Sequence, residues 1–284
     1  MSAGDAGVSS SRFCGIDIGI STTDAVAGWA EERPLSLPTG DPEATAERAI
    51  HELLAAVPPP DDRPITIAAT GFGSHRIGGE LCGLRVRKIP EISAIGRGGT
   101  RCAGFADALV VSLGTGTAMV SVRGAEMRHV SPGSGVGGGT LGGFARWLLG
   151  HDDLAGLAEL ALRGDRSRVD LTIGEVVGGP LGGLPAEATA SNLGKRSVEV
   201  AREDLAAGLA NIVSEVVLTV VLLGLQASGH ERAILIGKLL LFEPIGRRIG
   251  EVAKMLAPLF VIPENGPVAT ALGALWAAEA GEST

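Results

Sequence analysis

Apolar runs closed by glycine recur along this chain. Residues 13–20 (FCGIDIGI) are apolar but for one acid and end in a glycine turn, the pattern of a buried strand, and 23–29 (TDAVAGW) reads as its hairpin partner. Asp41 followed by Pro42 marks the start of a helix that runs to about Ala56, where Pro58–Pro60 stops it. ITIAA at 65–69 is a strand ending in Thr70-Gly71-Phe72-Gly73; another strand fits 84–89, and a helix begins near Glu91. DALVVSL at 107–113, the turn Gly114-Thr115-Gly116 and TAMVSV at 117–122 then repeat the opening layout. Beyond them a helical run to Leu149, a long apolar helix from about Val198 to Gln226, a strand at 233–236, a helix at 242–255, a strand at 259–262 and a helix at 267–280 complete the pattern. Two strand–turn–strand units, each followed by helices, predict a duplicated α/β architecture with two lobes around a cleft. The expected division is a loose tail at 1–12, an N-terminal lobe at 13–106 and a C-terminal lobe at 107–284.

Composition narrows what such a chain does. A net charge of −8 with scattered arginines argues against a nucleic-acid surface, which needs clustered Lys and Arg to neutralise phosphates. Three cysteines without C-x-x-C spacing point to a reducing compartment and no metal cage. The polar N-terminus lacks the apolar segment of a signal peptide, and Val216–Leu225 is too short to span a bilayer, so a cytoplasmic protein with no membrane partner is expected. Glycine accounts for 43 of 284 residues, roughly twice ordinary usage, and clusters at 71–79, 133–143 and 178–183. Such clusters suit backbone turns that approach a ligand closely.

Three segments carry candidate chemistry. In Gly15-Ile16-Asp17-Ile18-Gly19-Ile20-Ser21-Thr22-Thr23 an acid sits inside an apolar strand ahead of a glycine and three hydroxyls. Amides of a tight hairpin can cradle phosphate, the hydroxyls add donors, and a buried Asp needs a partner or a metal ion. An Asp that only bonds turn amides is the plainer alternative. Ser112-Leu113-Gly114-Thr115-Gly116-Thr117 is also a common hairpin turn, and gains weight as the counterpart of the first segment. The third, Gly133-Ser134-Gly135-Val136-Gly137-Gly138-Gly139-Thr140, contains a formal G-x-G-x-x-G. The charged, proline-containing Arg123–Pro132 before it is not the apolar parallel strand a dinucleotide site requires. It reads instead as a flexible loop feeding a helix N-terminus, whose free N–H groups suit an anion, or as a helix-packing glycine run. Gly194-Lys195 and Gly237-Lys238 lack the rest of a P-loop, the histidines lack zinc spacing, and His151-Asp152-Asp153 reads as a solvated helix start.

The order GIDIG at 15–19, TGFG at 70–73, Glu91 after a strand, SLGTGT at 112–117, GVGGGT at 135–140, ASNLGK at 190–195 and GALW at 273–276 resembles the type II pantothenate kinases. The resemblance runs from about 13 to 277. It implies the duplicated actin-like, ribonuclease H-like ATPase fold of the actin/hexokinase-like superfamily, a homodimer built on the long helix, and MgATP as phosphoryl donor to a small-molecule hydroxyl. Carried over by position, Asp17 orders the Mg2+ ion or its water. Gly19, Ser21, Thr22, Gly114, Thr115, Gly116 and Thr117 hold phosphates, Gly137, Gly138 and Gly139 wall the nucleotide, and Glu91 takes the proton from the substrate hydroxyl. Glu91 as a helix-start acid stabilised by the dipole is the structural alternative.

The sequence departs from the family in three places. Ile20 and Asp24 stand where the family has a glycine and a lysine, so a basic phosphate contact is missing. Val130 stands where an arginine meets the substrate carboxylate, leaving Arg128, His129 and Ser134 as the substrate-binding candidates. Gly237-Lys238-Leu239 replaces the usual Gly-Ser-Ser/Phe near the adenine. Two other readings follow. TGFG with EISAIGRGG is similar to the ATPase activators of acyl-CoA dehydratases, although Cys82 and Cys102 do not match their cluster ligands. A nucleotide-binding regulator without turnover fits the missing cations.

Overall fold

The structure is a computed structural model that describes residues 12–150, 153–196, 199–256 and 259–283, with the side chains of Glu32 and Pro132 outside that description. Two sheets of related topology form its frame. In the first, β1 (Arg12–Ile18), β2 (Thr22–Ala27) and β3 (Ala30–Pro38) make an antiparallel meander. Helix α1 (Pro42–Ala56), capped by the Asp41 side chain on Ala44 N–H at 3.0 Å, returns the chain so that β4 (Ile65–Thr70) lies parallel to β1. The short β5 (Glu80–Leu81) and β6 (Leu84–Lys88) complete the order β3-β2-β1-β4-β6-β5. Helix α2 (Glu91–Ala103) then leads into the second sheet.

That sheet repeats the plan. Strands β7 (Asp107–Leu113), β8 (Thr117–Arg123) and β9 (Glu126–Ser134) form another antiparallel meander. Five helices and a ribbon follow: α3 (Gly138–Leu149), α4 (Leu154–Arg163), β10 (Leu171–Thr172), α5 (Ile173–Val177), β11 (Thr189–Ser191), α6 (Arg202–Ser228), then, after β12 (Ala233–Ile236), α7 (Glu243–Met255). β12 lies parallel to β7, β13 (Phe260–Val261) lies parallel to β12, and α8 (Ala269–Glu279) ends the described chain. The order β13-β12-β7-β8-β9 matches β6-β4-β1-β2-β3, so the duplication expected from the strand–turn–strand repeat is present.

Period-two alternation decides the layers. On β7, Leu109, Val111 and Leu113 pack with α3, α4, α6 and α7, while Ala108 and Val110 pack with Ile95 of α2. On β1, Cys14, Ile16 and Ile18 face α1, and Phe13 faces α8. Strands covered on both faces read as unbroken apolar runs, which is why they were legible. Helices α2 and α8 therefore lie between the sheets, α2 against the second and α8 back against the first. They cross at glycines: a Cβ on Gly273 would stand 1.9 Å from Ala94 O, and one on Gly98 2.0 Å from Ala269 O. Being enclosed, α8 buries every residue from Ala269 to Ala278 and has no polar face.

Several expectations need correction. β3 and β9 are strands that the sequence pattern does not announce; both are sheet edges with prolines and charges, and Arg123–Pro132 contributes to an antiparallel edge strand. The apolar stretch 216–225 belongs to a 27-residue α6 long and apolar enough to cross a membrane, yet Leu209, Val213, Val217, Val221 and Leu225 bury in the second-lobe core. That helix begins at Arg202, and Val198 lies outside the described residues, as do 1–11, His151 and Asp152. Arg12 opens β1, stacked 5.6 Å from the Trp29 ring and paired with Asp61. Asp153 caps α4 through Gly156 N–H.

Candidate active site

The parallel strands β1, β4, β7 and β12 deliver their carboxyl ends to one place, where α/β sheets offer ligands free backbone groups. A cavity of about 370 Å3 opens there between the lobes. Asp17, Gly19, Ser21, Thr22, Glu91, Gly114, Thr115, Gly116, Thr117, Ser134 and Gly138, all expected from the sequence, line it. Asp24, Ser112, Lys238 and an apolar set of Leu154, Leu239, Phe242 and Pro267 complete its character. Hydroxyl-rich turns beside an apolar wall suit a ligand that is polar at one end and flat and apolar at the other.

The two glycine turns face each other across the cavity. Ser21 Oγ and Thr115 Oγ1 share a hydrogen bond at 2.8 Å. Each turn is closed internally, Gly19 N–H donating to Thr22 O at 3.0 Å and Gly114 N–H to Gly116 O at 2.9 Å. The third glycine segment buttresses the second turn: Gly138 N–H donates to Gly114 O at 2.8 Å and Gly139 N–H to Thr115 O at 2.9 Å, while Thr117 Oγ1 donates to Val136 O at 2.9 Å. The amides expected to be free for an anion are thus engaged. Gly138 lines the cavity, while Gly137 and Gly139 sit behind the 114–116 turn, where a Cβ on Gly137 would be 2.8 Å from Gly114 O.

Asp17, at the end of β1, is the half-buried acid of the site. Burial, reinforced by the negative charges of Asp24 and Glu91 and opposed by Lys238, pushes its carboxyl up to about 7 from 3.8. The hairpin register sets Asp24 directly opposite it, and β4 sets Thr70 beside it in parallel register. The Thr70 hydroxyl is buried with no hydrogen-bond partner. Gly71, at φ +84°, follows because a Cβ there would lie 2.2 Å from Asp17 Oδ1. An ionisable carboxylate beside an orphaned hydroxyl, in a cavity with two further acids, fits a hydrated divalent cation. Among the described residues no cluster of three or more acid, His or Cys side chains forms a complete cage. Mg2+, which keeps several waters and shares itself with phosphates, needs only one or two carboxylates.

Glu91 stands at the first turn of α2, exposed and on the cavity lining, so the strand–helix boundary read from sequence places it correctly. Arg128 and His129 do not come in. They are exposed on β9, with Arg128 opposite Ser121, four residues along β8 from the lining residue Thr117. At about 3.3 Å per residue that is some 13 Å from the turn. The ASNLGK segment is likewise elsewhere. Asn192 donates to Glu215 at 2.9 Å, Asn211 to the fully buried Asp170 at 3.0 Å, and Lys195 pairs with Glu175 at 2.6 Å, binding this loop to α6 and α5.

Besides the apolar wall, the residues missed by sequence reading are the charged pair Asp24 and Lys238. Their side chains form an ion pair, with Asp24 on β2 and Lys238 just beyond β12. Two of the positions at which the sequence departs from its family are therefore in contact. An acid inside the apolar 23–29 run, and a lysine after a strand and a glycine, were the available signals.

Comparison with known proteins agrees with this architecture. The profile of the family described as Fumble matches residues 106–248, just over half of the 284-residue chain. Pantothenate kinase 1 of Oryza sativa subsp. japonica is 42% identical over 110 residues, 36% of this chain and 16% of that one. The type II pantothenate kinase of Staphylococcus haemolyticus is 29% identical over 175 residues, 59% of this chain and 65% of that one. The chain thus spans less than two thirds of these first curated relatives. Among solved structures, the activator of 2-hydroxyisocaproyl-CoA dehydratase from Clostridium difficile, with bound ADPNP, superposes with a TM-score of 0.63 at 16% identity over 95% of each chain. Ta0583, an archaeal actin homolog, gives 0.55 at 13% identity over 95% of this chain and 99% of that one. The fold is the actin-like ATPase fold, and by the family profile the chain belongs to the Fumble family.

Proposed function

We propose that the chain is an ATP-dependent kinase that phosphorylates the hydroxyl of pantothenate or a closely related small hydroxy compound, as in coenzyme A biosynthesis. The observation that carries this reading is the meeting of the two glycine turns, Asp17 and Glu91 on a single interlobe cavity. The named pantothenate kinases among its relatives support it.

Phosphoryl transfer asks a protein mainly for positioning and charge stabilisation. Ser21, Thr22 and the 114–117 turn would orient the phosphates, and the apolar wall of Leu239, Phe242 and Pro267 would take the base. Asp17 would hold Mg2+ through its carboxylate or its water, the ion supplying neutralisation of the phosphate oxygens when bound. Glu91, exposed to the cavity at the head of α2, would accept the proton of the acceptor hydroxyl. The same reading includes a cytoplasmic homodimer through α6, on which Thr219, Leu223 and Gln226 leave an exposed stripe.

Incubation with MgATP and a panel of pantothenate, pantetheine and related hydroxy compounds, followed by mass spectrometry, tests it. ADP and a phosphorylated acceptor should appear in equal amounts. ATP binding without a phosphorylated acceptor from any compound would overturn it in favour of a regulator, and ATP hydrolysis without one would favour an activator-like ATPase.

A further inference from the structure

We propose that Lys238 is the side chain through which this cavity grips the phosphates of its nucleotide, and that Asp24 holds it in place when they are absent. The proposal rests on the nucleotide-binding reading of the cavity and adds to it a residue that the glycine turns do not supply.

Charge is the first observation. The lining carries three carboxylates, Asp17, Asp24 and Glu91, and among the described residues Lys238 is its one Lys or Arg side chain. A polyphosphate entering an acid-lined site is favoured by a protein cation, whose charge-assisted bonds to phosphate oxygens offset the carboxylates. Position is the second. Lys238 leaves the carboxyl end of β12, next to β7, from which the 114–117 turn projects. Its backbone is anchored, since Gly237 takes φ +101° and donates to Gly266 O at 2.8 Å. The flexible part is the four-carbon stem, whose side chain keeps 21% of its surface accessible.

The pairing is the third observation. Asp17 and Asp24 are directly opposed on adjacent antiparallel strands, an arrangement that repels unless a cation intervenes. Lys238 supplies that cation from the other lobe. Asp24 does not depend on it alone, because Ser36 Oγ donates to the same Oδ1 at 2.5 Å. Asp24 can release the ammonium to an incoming phosphate and remain hydrogen-bonded. Lys238 thus has a resting partner that holds it at the cavity and that it can leave.

The test measures binding by calorimetry with MgATP and with AMP, alongside the native chain, which itself reports whether nucleotide binding is real. Lys238→Met should weaken MgATP at least tenfold, leave AMP within threefold, and be largely rescued in Lys238→Arg. The double variant Lys238→Met/Asp24→Asn should recover no more than threefold. Native-like MgATP affinity in Lys238→Met, or full recovery in the double variant, would overturn the proposal, the second by making Lys238 merely the counter-ion of Asp24. Should Lys238→Met not fold, amine labelling of the native chain decides. ATP but not adenosine should protect Lys238, and equal labelling with and without ATP would count against it.

Discussion

Ser21 and Thr115, 94 residues apart, meet hydroxyl to hydroxyl at 2.8 Å and join the turns of the two repeated halves. Both hydroxyls link the lobes, and the one that accepts in this bond keeps its own hydrogen for a ligand in the cavity. Ser21→Ala and Thr115→Val should each weaken MgATP binding by about 1–2 kcal/mol, roughly five- to thirtyfold. The double variant should lose less than the sum, because the pair shares one bond. Fully additive losses in a calorimetric double-mutant cycle would mean that the two act separately.

Glu91→Gln preserves the shape of the side chain and removes its basicity. Turnover should fall by a factor on the order of 10²–10⁴ while the Kd for MgATP stays unchanged. A variant turning over at the native rate would leave Glu91 as a helix-start acid only.

Asp17 gives the ligand-free protein a distinctive pH dependence. Its folded carboxyl titrates at about 7 and its ordinary value is 3.8, so between those limits the folded state keeps a proton that the unfolded state has lost. The contribution of this group to stability therefore falls as pH rises from about 4 to 7 and is level above that. In thermal melts of the ligand-free protein, Asp17→Asn should gain on the native chain as pH is raised from 5 to 8. MgATP affinity of the native chain should rise over the same range, as ionisation makes the carboxylate available, and that rise should be absent in Asp17→Asn.

Gly273→Ala tests the packing between the lobes. Its Cβ would meet the backbone oxygen of Ala94, which cannot rotate away, at 1.9 Å. A cost of about 1–3 kcal/mol is expected, seen as a drop of several degrees in Tm. An unchanged melting temperature would show that α2 and α8 slide apart freely.

Arg128→Ala and His129→Ala should leave both kcat and the KM for the acceptor within about twofold, since exposed surface changes away from a site are close to neutral. A tenfold rise in KM would bring β9 back into the substrate site.

The local features of this protein were written in its sequence. Doubly covered strands such as β1 and β7 show unbroken apolar runs, glycines mark the turns, and Asp41 with Pro42 announces α1, because each depends on neighbours a few residues away. From these the duplicated fold and the polar turns of the cavity could be read, including Asp17, Ser21, Thr115 and Glu91. The edge strands β3 and β9 could not, because a strand half open to solvent tolerates proline and charge and loses its pattern. Whether the 137–139 amides were free also depended on tertiary contact, and the carbonyls of Gly114 and Thr115 take two of them. So did the exclusion of Arg128, which the β8–β9 register carries away from the turn. Above all, an acid at 24 and a lysine 214 residues later gave no local sign of belonging together. The folding of the second half against the first brings them together, and places in the cavity a cation that the first turn alone does not provide.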